Sequence, residues 1–208
     1  MVSGFSVDGN KLYFDKYSSD FSKSDIWMVE RTAGGWGKPK ILPPPISTSS
    51  NESYYTETTD GVIYISSKRT GGLGGFDIWC INNTSIKTAV NLGKTVNSAY
   101  NDAWTCVAPD GSFLIFSSDR PDDFGNQNLY ICFKKNINDW STSVNMEING
   151  AGINISHQHQ FNPTLSPDGK FLFFGRHNES GDKCDIYWIS TKIIEDIKKE
   201  VFNSKFTK

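Results

Sequence analysis

The stretch Phe76-Asp77-Ile78-Trp79-Cys80, FDIWC in one-letter code, decides the fold of this chain because close copies of it recur. The copies are Asp25-Ile26-Trp27, Asn128-Leu129-Tyr130 and Asp185-Ile186-Tyr187. An Asp-Gly pair precedes each of the four motifs by 17 or 18 residues, at Asp8-Gly9, Asp60-Gly61, Asp110-Gly111 and Asp168-Gly169. Spacing this regular indicates an internal repeat.

Each copy of the repeat has the same internal order. The Asp-Gly pair lies between apolar runs, which predicts a hairpin turn with positive φ at both central residues. An aromatic and aliphatic segment follows the turn, at 11–14, 62–65, 113–116 and 171–174. A polar loop then leads to the D-I-W motif, which predicts a third strand, and a fourth element follows at 35–42 and 139–146. The repeat therefore contains four short strands in roughly 50 residues.

Four-stranded units of this length are typical of β-propeller blades, which bury their sheet faces by stacking around an axis. The aromatic content of 13% fits such packing. We predict one all-β domain over 1–208, with blades at about 1–46, 47–94, 95–150 and 151–190. Apolar residues of the tail recur at helical spacing, which predicts a short helix at about 191–202 that covers the last blade.

Two segments, SPDGKFLFFGR with DIYWIS (166–190) and APDGSFLIFSSDRPDDFGNQNLYI (108–131), resemble the WD40-like propeller repeat with a P-D-G signature found in TolB-type proteins. The first two copies depart from it, because Val7 and Thr59 stand where the signature has proline. The resemblance implies a bacterial protein that is periplasmic or exported. It also implies a propeller that usually has six blades.

The number of blades in the complete ring stays open at this point. Copies two to four each carry a polar pair ahead of the Asp-Gly turn, at Asn51-Glu52, Asn101-Asp102 and His159-Gln160. The first copy would need this pair before Met1. The sequence is compatible both with a closed four-bladed ring and with an arc of a larger, six-bladed propeller.

Composition excludes some classes of function. The net charge is −2 and the pI about 5.9, so no basic field is present to bind nucleic acid. No apolar run approaches the roughly 20 residues of a transmembrane helix. The N-terminal residues lack the pattern of a signal peptide, so we expect either a cytosolic protein or a chain that begins downstream of one.

Cysteine spacing and short motifs give no sign of a cofactor. Cys80, Cys106, Cys132 and Cys184 form no C-x-x-C pair, and we interpret them as small apolar residues of strands, with disulfides left open. The sequence contains no G-x-S-x-G, H-E-x-x-H, P-loop or Rossmann pattern. We therefore predict no cofactor.

The polar pairs that precede the inner strands are the candidate ligand-binding residues, because propeller ligands gather at the mouth of the central channel. The candidates are the six residues of these pairs and the nearby Trp104: Asn51, Glu52, Asn101, Asp102, Trp104, His159 and Gln160. Aromatic faces there can stack on a sugar or grip a peptide. Alternatively, Glu52 and Asp102 tie adjacent blades together by hydrogen bonds, or form a glycosidase pair.

His157 and His159 are the candidate metal ligands. Residues two apart on a strand point the same way, so both rings could bind one ion. Some propeller polysaccharide lyases hold a metal with His and Gln, and this stretch is similar to theirs. Two histidines make an incomplete site, and polar loop residues bonded to neighbouring blades are the simpler interpretation.

We expect a non-catalytic, TolB-like binding module whose loops and channel mouth meet a protein partner or a cell-envelope glycan. The alternative is a metal-dependent polysaccharide lyase or hydrolase with its site at the channel mouth. A third possibility is a propeller that gates a peptidase domain outside this sequence. The absence of a nucleophile with its base favours the binding module.

Overall fold

The computed structural model of the chain describes residues 2–82, 88–122, 124, 127–136 and 139–203. Their strands form four antiparallel sheets, and the first three strands of each sheet lie side by side in chain order. The four sheets are arranged as the blades of a four-bladed propeller, followed by one helix. The prediction of an all-β propeller with a short C-terminal helix is confirmed.

The strands match the repeat read from the sequence. The first sheet contains β1 (Val2–Phe5), β2 (Lys11–Tyr17), β3 (Ser24–Thr32), β4 (Gly35–Trp36) and β5 (Lys40–Ile41). The second contains β6 (Glu52–Glu57), β7 (Val62–Ser67), β8 (Asp77–Asn82) and β9 (Ala89–Asn91). The third contains β10 (Asp102–Val107), β11 (Phe113–Ser118), β12 (Asn128–Asn136), β13 (Asp139–Trp140) and β14 (Val144–Asn145). The fourth contains β15 (His159–Leu165), β16 (Phe171–His177) and β17 (Cys184–Ser190), and α1 spans Lys192–Asn203.

The Asp-Gly turns differ from the prediction. Only the glycine of each pair has positive φ, with values of 69° at Gly9, 82° at Gly61, 71° at Gly111 and 69° at Gly169. In the first turn, the Asp8 carboxylate accepts a hydrogen bond from the Asn10 N–H at 3.0 Å. This bond holds the aspartate in the turn, and the expected turn with two positive φ values is wrong.

Three apolar clusters lie between consecutive sheets. The cluster between the first two sheets includes Tyr13 and Ile26 on one side and Ile65 and Trp79 on the other. The second cluster joins the second and third sheets, and the third joins the third and fourth sheets with α1. Tyr13 and Tyr55 stack across the first contact with ring centroids 3.7 Å apart. Aromatic packing between blades is therefore the core of the molecule.

The D-I-W motif lies at the start of each third strand, and in the second sheet its aspartate binds the preceding loop. Asp77 is fully buried and accepts hydrogen bonds from the Gly74 N–H at 3.3 Å and the Asn91 Nδ2 at 2.8 Å. A Cβ on Gly74 would lie 2.2 Å from the Tyr100 carbonyl oxygen, so only glycine fits this loop against the next connection. Arg69 of the same loop pairs with Glu52 at 3.5 Å.

The outer elements differ among the sheets. The predicted fourth strand is two short strands in the first and third sheets, because each segment pairs with the third strand at two separate places. The fourth sheet has three strands, and Ile194 and Ile197 of α1 pack into the cluster between the third and fourth sheets. Within the described residues, no comparable strand packing joins the fourth sheet to the first.

The cysteines lie in strands and are free. Cys106 and Cys132 are buried, Cys80 is half-buried and Cys184 is exposed. Burial raises the pKa of Cys106 to about 11 and also raises the pKa of Cys132. In the described part of the chain, no helix has the length and apolar character needed to cross a bilayer.

Acid should weaken the Asp-Gly turns. Hydrogen bonds from the Ser166 hydroxyl and the Lys170 N–H lower the pKa of Asp168 to about 2, from an ordinary value of 3.8. A carboxylate with a lowered pKa stabilises the fold above its unfolded-state pKa, and this stabilisation is lost as the pH falls through the folded-state value. The melting temperature of Asp168→Asn should therefore lie below that of the wild type at pH 7. The gap should close as the pH falls from about 4 to about 2. An equal gap at pH 7 and pH 2 would contradict this account.

Candidate binding site at the channel mouth

A bulge in the first strand of the second, third and fourth sheets, which we call the inner strand, shapes the site. Tyr54, Trp104 and Asn162 have left-handed backbones, with φ of 57°, 52° and 54°. They lie where the strand register shifts in β6, β10 and β15. A bulge re-aims the side chains around it, and left-handed non-glycine residues cost of order 1–3 kcal/mol each. Strain of this kind, repeated in three blades, is typical of functional positions.

Neighbouring sheets hold the bulge of the second sheet in place. The carboxylate of Asp15 accepts a hydrogen bond from the Tyr54 N–H at 3.0 Å, and the Thr105 hydroxyl donates to the Tyr54 carbonyl at 3.3 Å. Burial raises the pKa of Asp15, although the bonds from Tyr54 and Ser3 oppose the rise. The strained residue is thus fixed from the first and third sheets at once.

A cavity of about 380 Å³ opens beside these bulges. Residues from all four sheets or their connections line it. The aromatic lining residues are Tyr17, Tyr54, Phe76 and Trp104, and the polar ones include Asn101, Asp119, Gln127 and His159. The rings of Tyr54 and Trp104 lie 5.1 Å apart, and Phe161, which is not among the lining residues, lies 6.1 Å from Trp104. The cavity therefore combines a row of ring faces with neutral and acidic hydrogen-bonding groups.

Trp104 stands out chemically at this site. Its Nε1 is buried and has no hydrogen-bond acceptor among the described residues. Buried donors are nearly always satisfied, so an exception of this kind calls for an explanation such as a role in binding.

Glu52 and Asp102 are held in contacts between blades and do not line the cavity. Glu52 is fully buried and accepts hydrogen bonds from the Thr48 N–H at 2.8 Å and the Ser67 hydroxyl at 3.1 Å. Its carboxylate lies 3.5 Å from the guanidinium of Arg69, which also donates to the Ile46 carbonyl at 2.8 Å. We call this arrangement the arginine clasp, because it fastens the inner strand to the connection from the preceding blade.

Asp102 forms the same clasp in the third blade. It is fully buried, accepts the Ser98 N–H at 2.6 Å and pairs with Arg120 at 2.6 Å. Arg120 also donates to the Val96 carbonyl at 2.8 Å. Arg69 and Arg120 thus bind the carboxylates that precede the inner strands, whereas Asp77 of the D-I-W motif accepts backbone N–H groups of its own loop.

Asn51 and Asn101, the first residues of their polar pairs, connect successive blades. Asn51 accepts the Ser24 N–H at 2.9 Å, and Asn101 accepts the Phe76 N–H at 3.1 Å. Each bond reaches the preceding blade at or beside the start of its third strand. Asn101 also donates to the Asp119 carboxylate at 2.8 Å. Asn101 is thus both a blade connector and a cavity residue.

The fourth blade varies this plan. His159 and Gln160 stand where the second and third blades have asparagine and an acid. Gln160 is fully buried, and its N–H donates to the Gln127 carbonyl at 2.8 Å. Arg176 donates to the carbonyls of Gly152 and Ile153 at 2.6 and 2.8 Å. Gln160 therefore lies in a blade contact, whereas His159 lines the cavity.

Of the seven candidate ligand-binding residues, Asn101, Trp104 and His159 line the cavity. The other seven lining residues are Tyr17, Ser53, Tyr54, Phe76, Ala103, Asp119 and Gln127, and the polar pairs gave no sign of Tyr17, Phe76, Asp119 or Gln127. The repeat itself carried a signal for them. Tyr17 and Asp119 end or follow a second strand, and Phe76 and Gln127 directly precede a third-strand motif, so equivalent positions in different blades converge here.

The two candidate metal ligands are not neighbours on a strand. β15 begins at His159, while His157 is exposed in a turn with φ of 62°. The alternation that would align the two rings therefore does not apply. Across the described ranges, no group of three or more His, Cys, Asp or Glu side chains is placed to hold a metal ion.

Comparisons with known proteins support the fold alone. No protein-family model matches the chain, and no curated protein matches it either. Among solved structures, an α-L-arabinofuranosidase from Lactobacillus brevis aligns with a TM-score of 0.55 and 14% identity, over 85% of this chain and 67% of that one. A prolyl endopeptidase aligns at 0.46 and 15%, over 91% and 27%. Hydrazine synthase from Kuenenia stuttgartiensis aligns at 0.48 and 13%, over 91% and 58%.

Breaking the clasp from its arginine side should destabilise the fold strongly. Arg120→Met leaves the buried Asp102 carboxylate without its ion pair, which should cost roughly 3–5 kcal/mol of unfolding free energy. Lys135→Met is the matched control, because Lys135 pairs with Asp139 at the surface at 3.7 Å. The control should cost at most about 1 kcal/mol. Urea unfolding monitored by tryptophan fluorescence measures both. Equal losses of unfolding free energy in the two variants would show that the clasp does not stabilise the fold.

Proposed function

We propose that this chain is a non-catalytic, TolB-like propeller module whose channel-mouth cavity binds a saccharide unit of a cell-envelope glycan. The observation that carries the proposal is the cavity of about 380 Å³ with its row of aromatic rings and flanking polar side chains. Its volume lies within the range of small-ligand sites. A periplasmic or exported location belongs to the same proposal and rests on the P-D-G repeat.

The composition of the lining favours a sugar ring. Trp104 and Tyr54 offer ring faces on which the C–H face of a saccharide can stack, and their placement on strained bulges fixes them before binding. Asn101, Gln127 and His159 offer donors and acceptors for hydroxyl groups. A protein partner would instead have to insert one or two side chains into the same cavity.

The carboxylates favour binding over hydrolysis. A glycosidase needs two carboxyl groups that flank the bond to be cleaved. Glu52 and Asp102 are engaged in the arginine clasps, and Asp119 is the one carboxylate among the described residues that line the cavity. Asp119 itself accepts two hydrogen bonds from Asn101. A lone, occupied carboxylate fits ligand orientation better than acid–base work.

Binding should depend on Trp104. Soluble envelope-glycan fragments, such as N-acetylglucosamine oligomers and muropeptides, should bind the wild type in calorimetric titrations. Trp104→Ala should weaken this binding at least tenfold, or about 1.4 kcal/mol, because the stacking face is lost.

Trp36→Ala is the matched control, because Trp36 is an exposed indole of the first sheet that is not among the lining residues. Tyr17→Ala removes an exposed lining ring and serves as a second test if Trp104→Ala folds poorly. No binding by the wild type would refute the glycan ligand. Equal affinity for Trp104→Ala and Trp36→Ala would refute the cavity as its site.

Metal content separates the binding module from the alternative lyase or hydrolase. We expect no stoichiometric zinc, manganese or calcium when the purified protein is analysed by elemental mass spectrometry after dialysis. The proposal fails in favour of the metal-dependent enzyme if the wild type carries one equivalent of a metal that His159→Ala loses.

A further inference from the structure

The fourth sheet exposes a position that the other three sheets bury. Ile186, in the third strand of the fourth sheet, is 80% exposed. The equivalent residues of the repeat are Ile26, Ile78 and Leu129, and each is 0% exposed. The same motif position is therefore a core residue three times and a surface residue once.

The exposure extends over one side of the sheet. Trp188 is 63% exposed and Phe173 37%, although their counterparts in the third sheet, Ile131 and Ile115, are fully buried. Phe171 meets Trp188 edge-on at 5.1 Å, and these rings line a shallow hollow with Phe173. We call Phe171, Phe173, Ile186 and Trp188 the fourth-sheet face. Contiguous exposed apolar surface of this kind marks an interaction site.

The other sheets show what covers this face. In the second sheet, Tyr64 and Ile78 occupy the positions of Phe173 and Ile186. They pack in one cluster with Leu114, Phe116 and Tyr130, which lie on the opposing side of the third sheet. The complement of the fourth-sheet face is thus the side of a blade that carries residues equivalent to Leu114, Phe116 and Tyr130.

The chain itself carries such a complement. In the first sheet, the equivalent residues are Leu12, Phe14 and Trp27, and we call them the first-sheet face. All three are only half-buried, and no described sheet packs on them from the preceding side. Their equivalents in the second sheet, Ile63, Ile65 and Trp79, belong to the apolar cluster with the first sheet.

We propose that the fourth-sheet face of one copy of this chain packs on the first-sheet face of a second copy. The contact continues, across two chains, the blade-to-blade packing that occurs three times within one. It joins two different surfaces, so it is heterologous. This inference is independent of the ligand proposed for the cavity.

Sedimentation velocity over a wide range of protein concentrations tests the proposal. The wild type should self-associate, and Ile186→Asp should lose this association because a charge replaces the exposed apolar centre of the face. Val90→Asp is the matched control, since Val90 is 57% exposed on β9 and lies outside both faces. It should associate like the wild type. Circular dichroism checks that each variant is folded.

Mixing two variants identifies the pairing of the faces. Leu12→Asp alone should also lose self-association. A mixture of Leu12→Asp and Ile186→Asp should regain a one-to-one complex, because the first variant keeps the fourth-sheet face and the second keeps the first-sheet face. Self-association of Leu12→Asp alone would show that the fourth-sheet face pairs with itself and would overturn the proposal. A wild type that stays monomeric at every concentration would overturn it as well.

Discussion

Face-to-face packing of successive sheets is the constraint on which this structure depends. A single four-stranded sheet has two sides, and the one helix among the described residues packs only against the third and fourth sheets. Tyr13 and Ile26 of the first sheet are buried only because Ile65 and Trp79 of the second lie against them. The second and third sheets pack in the same way, and so do the third and fourth. The stability of one blade therefore depends on its neighbours.

The same constraint explains why the polar residues ahead of the inner strands bind the preceding blade. Apolar packing fixes the distance between sheets, and the polar pairs ahead of the inner strands then fix the relative position of the sheets. The carboxylates of Glu52 and Asp102 and the amides of Asn51 and Asn101 all bond to groups on or beside the preceding blade. Acidic residues ahead of the inner strands suggest a catalytic or ligand-binding site, yet Glu52 and Asp102 connect blades.

Much of the fold could be predicted from the sequence because its signals are periodic. The continuous apolar run at 62–65 and the D-I-W motif both indicate strands that are buried on both sides. The turn type at Asp8-Gly9 could not be predicted, because the letters fit two turns and a side-chain hydrogen bond selects one. The spacing of Ile193, Ile194 and Ile197 predicted the helix, but the sequence does not reveal that it packs between the third and fourth sheets.

The candidate site was only partly predictable, for a related physical reason. Asn101, Trp104 and His159 were found because they lie in or near the lead-in pairs. The cavity also draws Tyr17 and Phe76 from other parts of the repeat, and their convergence follows from the arrangement of the blades rather than from adjacency in sequence. The bulges at Tyr54 and Trp104 could not be predicted, because the residue pattern of a strand does not show where its register shifts.

The bulges link the packing of the blades to the chemistry of the cavity. A left-handed tyrosine is unfavourable alone and persists only where its surroundings hold it. Asp15 from the first sheet and Thr105 from the third hold Tyr54 on both of its backbone groups. The ring row of Tyr54, Trp104 and Phe161 is therefore set by contacts between sheets. A surface preformed in this way loses little conformational entropy on binding, which is the property a recognition module requires.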